Sequence, residues 1–181
     1  MSRNVNVVIL CEDRQHEVFV RRFLKRMGYG LRELKVKINP RGRGAGEQYV
    51  RKEFTEQLGY YRARQHRVRQ ALVVVIDADR QSVADRINQL NHACQRSGVS
   101  PRRPGERVAI FVPARNIETW LAYLDGKSVN ENDKYPRLKR QRDCPRHVDH
   151  LYEMCQQCAL RQPSPPSLDA ACTEYRSRMP L

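Results

Sequence analysis

Two apolar, β-branched runs that end in acidic residues limit most strongly how this chain can fold. The runs are VNVVIL at 5–10 and ALVVVI at 71–76, and they are followed by CED and DAD. Continuous apolar runs of this length are typical of strands buried on both faces of a parallel sheet, where helices cover each face. The sequence therefore predicts an α/β fold with carboxylates at the ends of its central strands.

The rest of the chain alternates between helix-like and strand-like patterns. The first helix follows strand one, because Val18, Phe19, Phe23 and Leu24 recur at helical spacing before a glycine stop. The later elements are predicted as a half-exposed strand at 34–40, a glycine-rich basic loop at 40–48, a helix at 48–67, a strand at 70–80, a helix at 82–97, and a strand passing into a helix at 107–126. This order predicts a Rossmann-like, mainly parallel central sheet flanked by helices.

The texture of the sequence changes after Asp125, where it becomes basic and proline-bearing. Helices are predicted at 146–160 and 168–178, with a break at QPSPPS between them. We therefore expect an α/β domain over 1–125 and a basic, mostly helical extension over 126–181 that packs on the same domain. A chain of 181 residues is the right length for one core.

The charge balance indicates a polyanionic partner. The chain has 34 Lys and Arg against 20 Asp and Glu, a net charge of +14, and the excess is largely arginine, whose planar fork suits phosphate. Nucleic acid, DNA or RNA, is the favoured partner, ahead of an anionic protein surface, lipid headgroups or simple solubility. The segments KYPRLKRQRDCPR and SPRRPGER are the expected footprint.

No window approaches the roughly 20 apolar residues that a membrane span requires, and the first residues do not resemble a signal peptide. The six cysteines are expected to be reduced, because the chain is longer than a disulfide-stapled mini-protein. We expect a cytoplasmic protein without a membrane partner. A homo-oligomer stays open.

Acidic residues follow three predicted strands, where sites form in parallel sheets. They are Glu12, then Asp77 and Asp79, then Glu118. If the chain stays extended through the DxD, both of its carboxylates point to one side. Together with Glu12 they make a set of oxygen ligands for Mg²⁺, and a cation would relieve their repulsion. Salt bridges with the abundant arginines are the structural alternative, and for Glu118 pairing with Arg115 is an equal alternative.

The acidic motifs resemble those of a Toprim domain, the metal-binding catalytic module of primases, topoisomerases and OLD-type nucleases. The resemblance rests on the glutamate in VVILCED and on the DxD in VVVIDAD, and it covers about residues 5–125. Within that superfamily the chain is similar to small stand-alone Toprim proteins, with RGRGAG, DADR and PARNIETWLAYLDG as finer landmarks. Topoisomerases have glycines around the glutamate, whereas Cys11 and Asp13 flank it here, so the resemblance does not extend to strand passage.

The resemblance implies hydrolysis of a nucleic-acid phosphodiester with Mg²⁺ or Mn²⁺. Asp77 and Asp79 would bind the metal, Glu12 would complete that site or act near the nucleophile, and Glu118 could serve a second metal. Phosphate would contact four arginines, two of them in the glycine-rich loop, whose alternative is a solvated turn. These arginines are Arg41, Arg43, Arg80 and Arg115.

The resemblance also implies a partner, because similar small proteins work beside an ABC-type or OLD-type ATPase in anti-phage and mobile-element systems. The alternative to a nuclease is a non-catalytic or regulatory nucleic-acid-binding subunit of such an ATPase complex. A phosphatase of the haloacid dehalogenase type is disfavoured, because its motif needs Thr or Val where this chain has Gln81.

The segment CPRHVDHLYEMCQQC contains potential zinc ligands. Most of its apolar and sulfur-bearing side chains fit one helical face, which favours a packing role and leaves zinc open for His147, His150, Cys155 and Cys158. Trp120 is expected to be a core residue.

Overall fold

The structure is a computed structural model that describes residues 4–40 and 44–179. These residues form strands and helices in strict alternation up to the fourth helix, and two further helices follow. The strands are β1 (Asn6–Cys11), β2 (Leu34–Ile38), β3 (Gln70–Val75) and β4 (Val108–Phe111). The helices are α1 (Arg14–Arg26), α2 (Gly46–Arg64), α3 (Val83–Arg96), α4 (Ile117–Leu124), α5 (Pro145–Gln156) and α6 (Pro166–Arg178).

The four strands form one parallel sheet in the order β2-β1-β3-β4. Strand β1 lies between β2 and β3, and the register pairs Cys11 with Val75 at the carboxyl end. The residues that follow β1 and β3 therefore leave the sheet side by side. This geometry makes the carboxyl edge the place where the acidic motifs meet.

The sheet is covered by helices on both faces. Alternate strand residues such as Ile9 and Val73 pack in one apolar cluster with side chains of α1, α4, α5 and α6. The intervening residues, such as Leu10 and Val74, pack with side chains of α2 and α3. Burial on both faces explains why β1 and β3 are apolar after their first residues, Asn6 and Gln70. The predicted α/β class with a parallel, helix-flanked sheet is confirmed.

The predicted order of elements agrees with the structure, and the differences lie at the ends of elements. β3 ends at Val75, so the DxD motif is in the loop that follows the strand. α2 begins at Gly46 and ends at Arg64, shifted toward the N-terminus of the predicted range. β2 is an edge strand with alternating exposure, as its pattern predicts.

The last two helices close the core on the α1 side. Tyr175 of α6 packs edge-on against Phe23 of α1, with 5.4 Å between ring centroids. Trp120 is 2% exposed, and its Nε1 donates to Ser167 Oγ at 2.8 Å, which confirms it as a core residue. Within residues 4–40 and 44–179, no helix has the length and apolar character to cross a membrane.

Candidate active site at the carboxyl edge of the sheet

Glu12 and Asp77 meet at the carboxyl edge although 65 residues separate them in sequence. Glu12 directly follows β1, and Asp77 lies two residues beyond β3. The backbone N–H of Asp77 donates to Glu12 Oε1 at 2.5 Å. The parallel pairing of β1 with β3 brings the Glu12 carboxylate to the backbone of Asp77.

The N-terminus of α2 packs directly on Glu12. A Cβ atom added at Gly46 would lie 2.9 Å from the Cβ of Glu12 and 3.2 Å from its Oε2. Only glycine fits at this distance without a shift of its neighbours. The glycine-rich segment therefore brings the start of a helix against the carboxylate. The first two arginines of that segment, Arg41 and Arg43, lie outside the described residues.

His16 is a site residue that the sequence analysis missed. It lies on α1, its side chain is fully buried, and its Nε2 is 3.0 Å from Asp77 Oδ1. Burial by itself lowers the pKa of His16, but the charge of Asp77, its hydrogen bond, and the charges of Asp13 and Glu12 outweigh burial and raise the pKa to about 10. At neutral pH the contact is an imidazolium donating to a carboxylate.

Asp13 has a local structural role. Its backbone is extended, and its Oδ1 accepts from the backbone N–H of His16 at 3.0 Å, which makes it the N-cap of α1. The two acidic residues after β1, Glu12 and Asp13, therefore have different roles. Asp13 starts the helix, and Glu12 faces the other strand end.

The environment of Glu12 favours the protonated carboxyl. Burial is the largest cause, and the charges of Asp77 and Asp79 add to it. The charge of His16 and the hydrogen bond from Asp77 act in the opposite direction. The pKa of Glu12 is raised to about 7, so this carboxyl can gain or lose a proton near neutral pH.

The chain is not extended through the DxD motif, so the expectation of an extended segment is wrong. The φ of 56° at Asp79 is in the left-handed region, and this turns the chain after Ala78. Asp79 Oδ2 lies 3.0 Å from Arg86, whose guanidinium is 3% exposed and also binds Glu47 at 3.0 Å. The second aspartate is therefore held by a buried arginine of α3.

Glu118 lies in the first turn of α4 and is 5% exposed. It pairs with Arg137 at 3.4 Å and not with Arg115, so the structural alternative of a pair with Arg115 is wrong. Burial raises the pKa of Glu118, and the charge of Asp77 contributes in the same direction. Glu12, Glu118 and Arg137 line one cleft of about 730 Å³.

Arg80 and Arg115 lie on the other side of the edge. Both line a second cavity, of about 510 Å³, together with Asp79. The backbone N–H of Asp79 donates to the carbonyl oxygen of Arg115 at 2.9 Å, which holds the loops after β3 and β4 together. The carboxyl edge thus separates an acidic cleft from a basic cavity.

The carboxylates suit Mg²⁺ by their chemistry, but they do not form a closed cage. Within the described part of the chain, no group of three or more His, Cys, Asp or Glu side chains is arranged to hold a metal ion. Mg²⁺ keeps several waters and needs one or two protein carboxylates in addition to substrate phosphate. The neighbouring carboxylates of Glu12 and Asp77 fit that open arrangement.

The potential zinc ligands of the C-terminal segment have other contacts. His147 Nε2 lies 3.1 Å from Asp125 Oδ2, and His150 Nδ1 lies 2.7 Å from the carbonyl oxygen of Leu124. The Sγ atoms of Cys155 and Cys172 are 3.9 Å apart, and Cys158 is exposed. These side chains therefore face three different places.

Comparison with known protein families, with curated proteins and with solved structures finds no match to this chain.

Proposed function

We propose that this protein is a Toprim-type nuclease that hydrolyses nucleic-acid phosphodiesters with Mg²⁺ or Mn²⁺. The observation that carries the proposal is the contact between Glu12 and Asp77 across two strand exits, with the pKa of Glu12 raised to about 7. A carboxyl whose pKa is raised by burial and by neighbouring carboxylates, as for Glu12, is typical of catalytic sites. The net charge of +14 supports a phosphate-rich substrate.

Glu12 and Asp77 would hold the cation, and Asp79, the third acidic residue expected at the site, is bound to Arg86. The cation would supply charge to stabilise the developing negative charge on phosphate. Asp77 offers Oδ2, because Oδ1 accepts from His16. His16 fixes the orientation of Asp77, as histidines and carboxylates beside metal ligands commonly do.

If Asp77 holds the cation without Glu12, Glu12 is the best candidate for the residue that takes a proton from the attacking water. Its Oε1 is bound to the backbone N–H of Asp77, so Oε2 is the oxygen that would accept the proton. The water oxygen bonds to phosphorus as the bond from phosphorus to the leaving oxygen breaks. In the metal-free protein the pKa of Glu12 is about 7, which suits a base that works at neutral pH. Glu118 could serve a second cation.

The phosphates of the strand would contact Arg80 and Arg115, which lie beside Asp79. An arginine fork binds phosphate oxygens by charge-assisted hydrogen bonds. We extend the proposal to an ATPase partner and a role in anti-phage or mobile-element defence, which rest on the resemblance to small Toprim proteins alone.

A second candidate function is a non-catalytic nucleic-acid-binding subunit. It is favoured by one observation, that a cationic side chain already engages each of three edge carboxylates. Asp77 is bound to His16, Asp79 to Arg86, and Glu118 to Arg137. In this reading the acids stabilise the edge, and the basic surface binds the partner.

A cleavage assay separates the two functions. Single-stranded and double-stranded DNA and RNA are incubated with the protein and Mg²⁺ or Mn²⁺, and products are resolved on gels. The proposal expects cleavage by the wild type, loss with Asp77→Asn, and retention with Asp133→Asn, which removes an exposed carboxylate of the loop after α4. Binding of every substrate without cleavage by the purified chain, alone or with a neighbouring ATPase, would favour the second function.

A further inference from the structure

The cavity of about 510 Å³ beside Asp79 contains more cationic side chains than Arg80 and Arg115, the two that the proposed mechanism uses. Among the described residues, two carboxylates line it, from Glu47 and Asp79. Five cationic side chains of the described residues line it, and they are Arg51, Arg80, Arg86, Arg115 and Lys134. The excess of positive charge indicates an anionic ligand.

The two carboxylates of the cavity are already neutralised. Glu47 lies 2.9 Å from Arg51 and 3.0 Å from Arg86, and Asp79 lies 3.0 Å from Arg86. Arg86 is 3% exposed and forms the floor of this network. Two of the five cationic side chains, Arg51 and Arg86, are therefore paired with the two carboxylates of the cavity.

The other three cations have no acidic partner among residues 4–40 and 44–179. They are Arg80, Arg115 and Lys134. They come from the loops after β3, β4 and α4, so the fold gathers three separate segments around one space. Three neighbouring cations repel one another, and a bound anion such as phosphate removes that repulsion.

The backbone of the cavity wall is strained at two residues. Asp79 and Arg115 have φ of 56° and 61°, in the left-handed region that non-glycine residues rarely adopt. One hydrogen bond, from the N–H of Asp79 to the carbonyl oxygen of Arg115, joins them. Strain of this kind concentrates at ligand sites, where it holds side chains in place.

Asn116 adds a neutral polar group to the same cavity. It stands at the N-cap of α4, yet its side chain does not cap the helix. Its Oδ1 is buried and has no hydrogen-bond partner within the described residues. Such an unpaired acceptor is costly, and rotation of the amide would offer it to a ligand that carries an N–H or O–H donor.

We propose that this cavity is a nucleotide subsite. One phosphate of a nucleic-acid strand lies against Arg80, Arg115 and Lys134, and a sugar hydroxyl or base N–H of the same nucleotide donates to Asn116. The inference rests on the proposed function, because the cavity shares Asp79 with the acidic edge. It goes beyond that function by assigning Lys134 and Asn116 and by fixing where the neighbouring nucleotide binds.

The test is a binding titration of fluorescein-labelled 12-nucleotide DNA and RNA in EDTA, over a range of NaCl concentrations. Lys134→Gln is expected to weaken binding and to lower the slope of log K against log salt by about 0.7, the value for one phosphate contact on a single strand. Lys52→Gln is the matched control, because Lys52 is an exposed lysine of α2 outside the cavity lining. The slope of log K against log salt for Lys52→Gln is expected to be closer to the wild-type slope than the slope for Lys134→Gln is.

Asn116→Asp and Asn116→Ala separate the amide from the cations. Asp places a negative charge beside the phosphate, so it is expected to weaken binding more than Ala does. Melting curves of both variants show whether each is folded. Equal binding by wild type, Lys134→Gln and Asn116→Asp, with all three folded, would overturn the subsite.

The source of the phosphate is tested by competition with inorganic phosphate and with AMP. Competition by AMP at much higher concentration than the 12-mer supports a strand nucleotide. Tight binding of AMP without binding of either 12-mer would overturn the inference in favour of a free nucleotide. Since no metal is present, failure of cleavage and failure of this subsite are separate results.

Discussion

Replacing Glu12 by Gln should stabilise the metal-free protein, and the gain should grow with pH. The pKa of Glu12 in the folded protein is about 7, above the ordinary 4.5, chiefly because of burial and then because of neighbouring carboxylates. Between these values the folded state binds the proton more tightly than the unfolded chain does. The ionisation of Glu12 therefore leaves the free energy of unfolding nearly unchanged below about pH 4.5. Above that pH it lowers the free energy of unfolding, and the loss grows until about pH 7.

The size of the effect follows from the two pKa values. A tenfold difference in proton affinity corresponds to about 1.4 kcal/mol, so the full cost is on the order of 3 kcal/mol above pH 7. Gln keeps a carbonyl oxygen for the N–H of Asp77 and carries no charge at any pH. For a chain of this length, each kcal/mol shifts the melting temperature by about 2–4 °C, so the gain above pH 7 is about 6–12 °C.

The assay is thermal unfolding of wild type and Glu12→Gln in EDTA at pH 5 and pH 8. We expect a small gain in the melting temperature of the variant at pH 5 and a clearly larger gain at pH 8. Glu56→Gln, at an exposed position on α2, is the control and should not separate from wild type. A Glu12→Gln variant that is less stable than wild type at both pH values would refute the argument that this carboxylate is held at a cost.

Three further results are expected. His16→Asn should lower the free energy of unfolding below pH 6.5, and the difference from wild type should shrink as pH rises through about 10, because the folded pKa of His16 is raised. A difference in the free energy of unfolding that stays constant across this pH range would contradict this prediction. Gly46→Ala should lower cleavage by displacing Glu12, whereas Gly59→Ala, in open space within α2, should add about 1 kcal/mol of stability and leave cleavage unchanged. The packing argument would be contradicted if the two variants had the same stability and the same cleavage activity. Replacing four basic residues by Ala should flatten the salt dependence of nucleic-acid binding, and an unchanged slope would exclude them from the footprint. These four are Arg137, Lys139, Arg140 and Arg142.

The sequence predicts the sheet well because its strongest signals are local. The runs at 5–10 and 71–76 have no polar face, so only a strand covered on both sides accommodates them. Adjacent parallel strands then bring Glu12 and Asp77 together. The point where β3 ends before the DxD motif is less predictable, because the turn at Asp79 depends on contacts with the loop after β4.

The partners of the acids could not be predicted, because they come from distant helices. His16 is the exception that carried a signal. It continues the apolar helical face of Phe19, Val20 and Phe23, and a histidine on such a face, four residues after Glu12, needs a polar partner. Arg86 gave no comparable signal among the many arginines of the chain, because only the fold brings it to Asp79.

The most direct test of the account is whether Glu12 and Asp77 bind a divalent cation together. Free Mn²⁺ is measured by electron paramagnetic resonance as the metal is titrated into wild type, Glu12→Gln, Asp77→Asn and the control Glu56→Gln, each checked for folding. The account predicts saturable binding by wild type and the control, and binding weakened at least tenfold in both edge variants. Equal Mn²⁺ binding by all four proteins, or none by the folded wild type with or without a nucleic-acid strand, would contradict it.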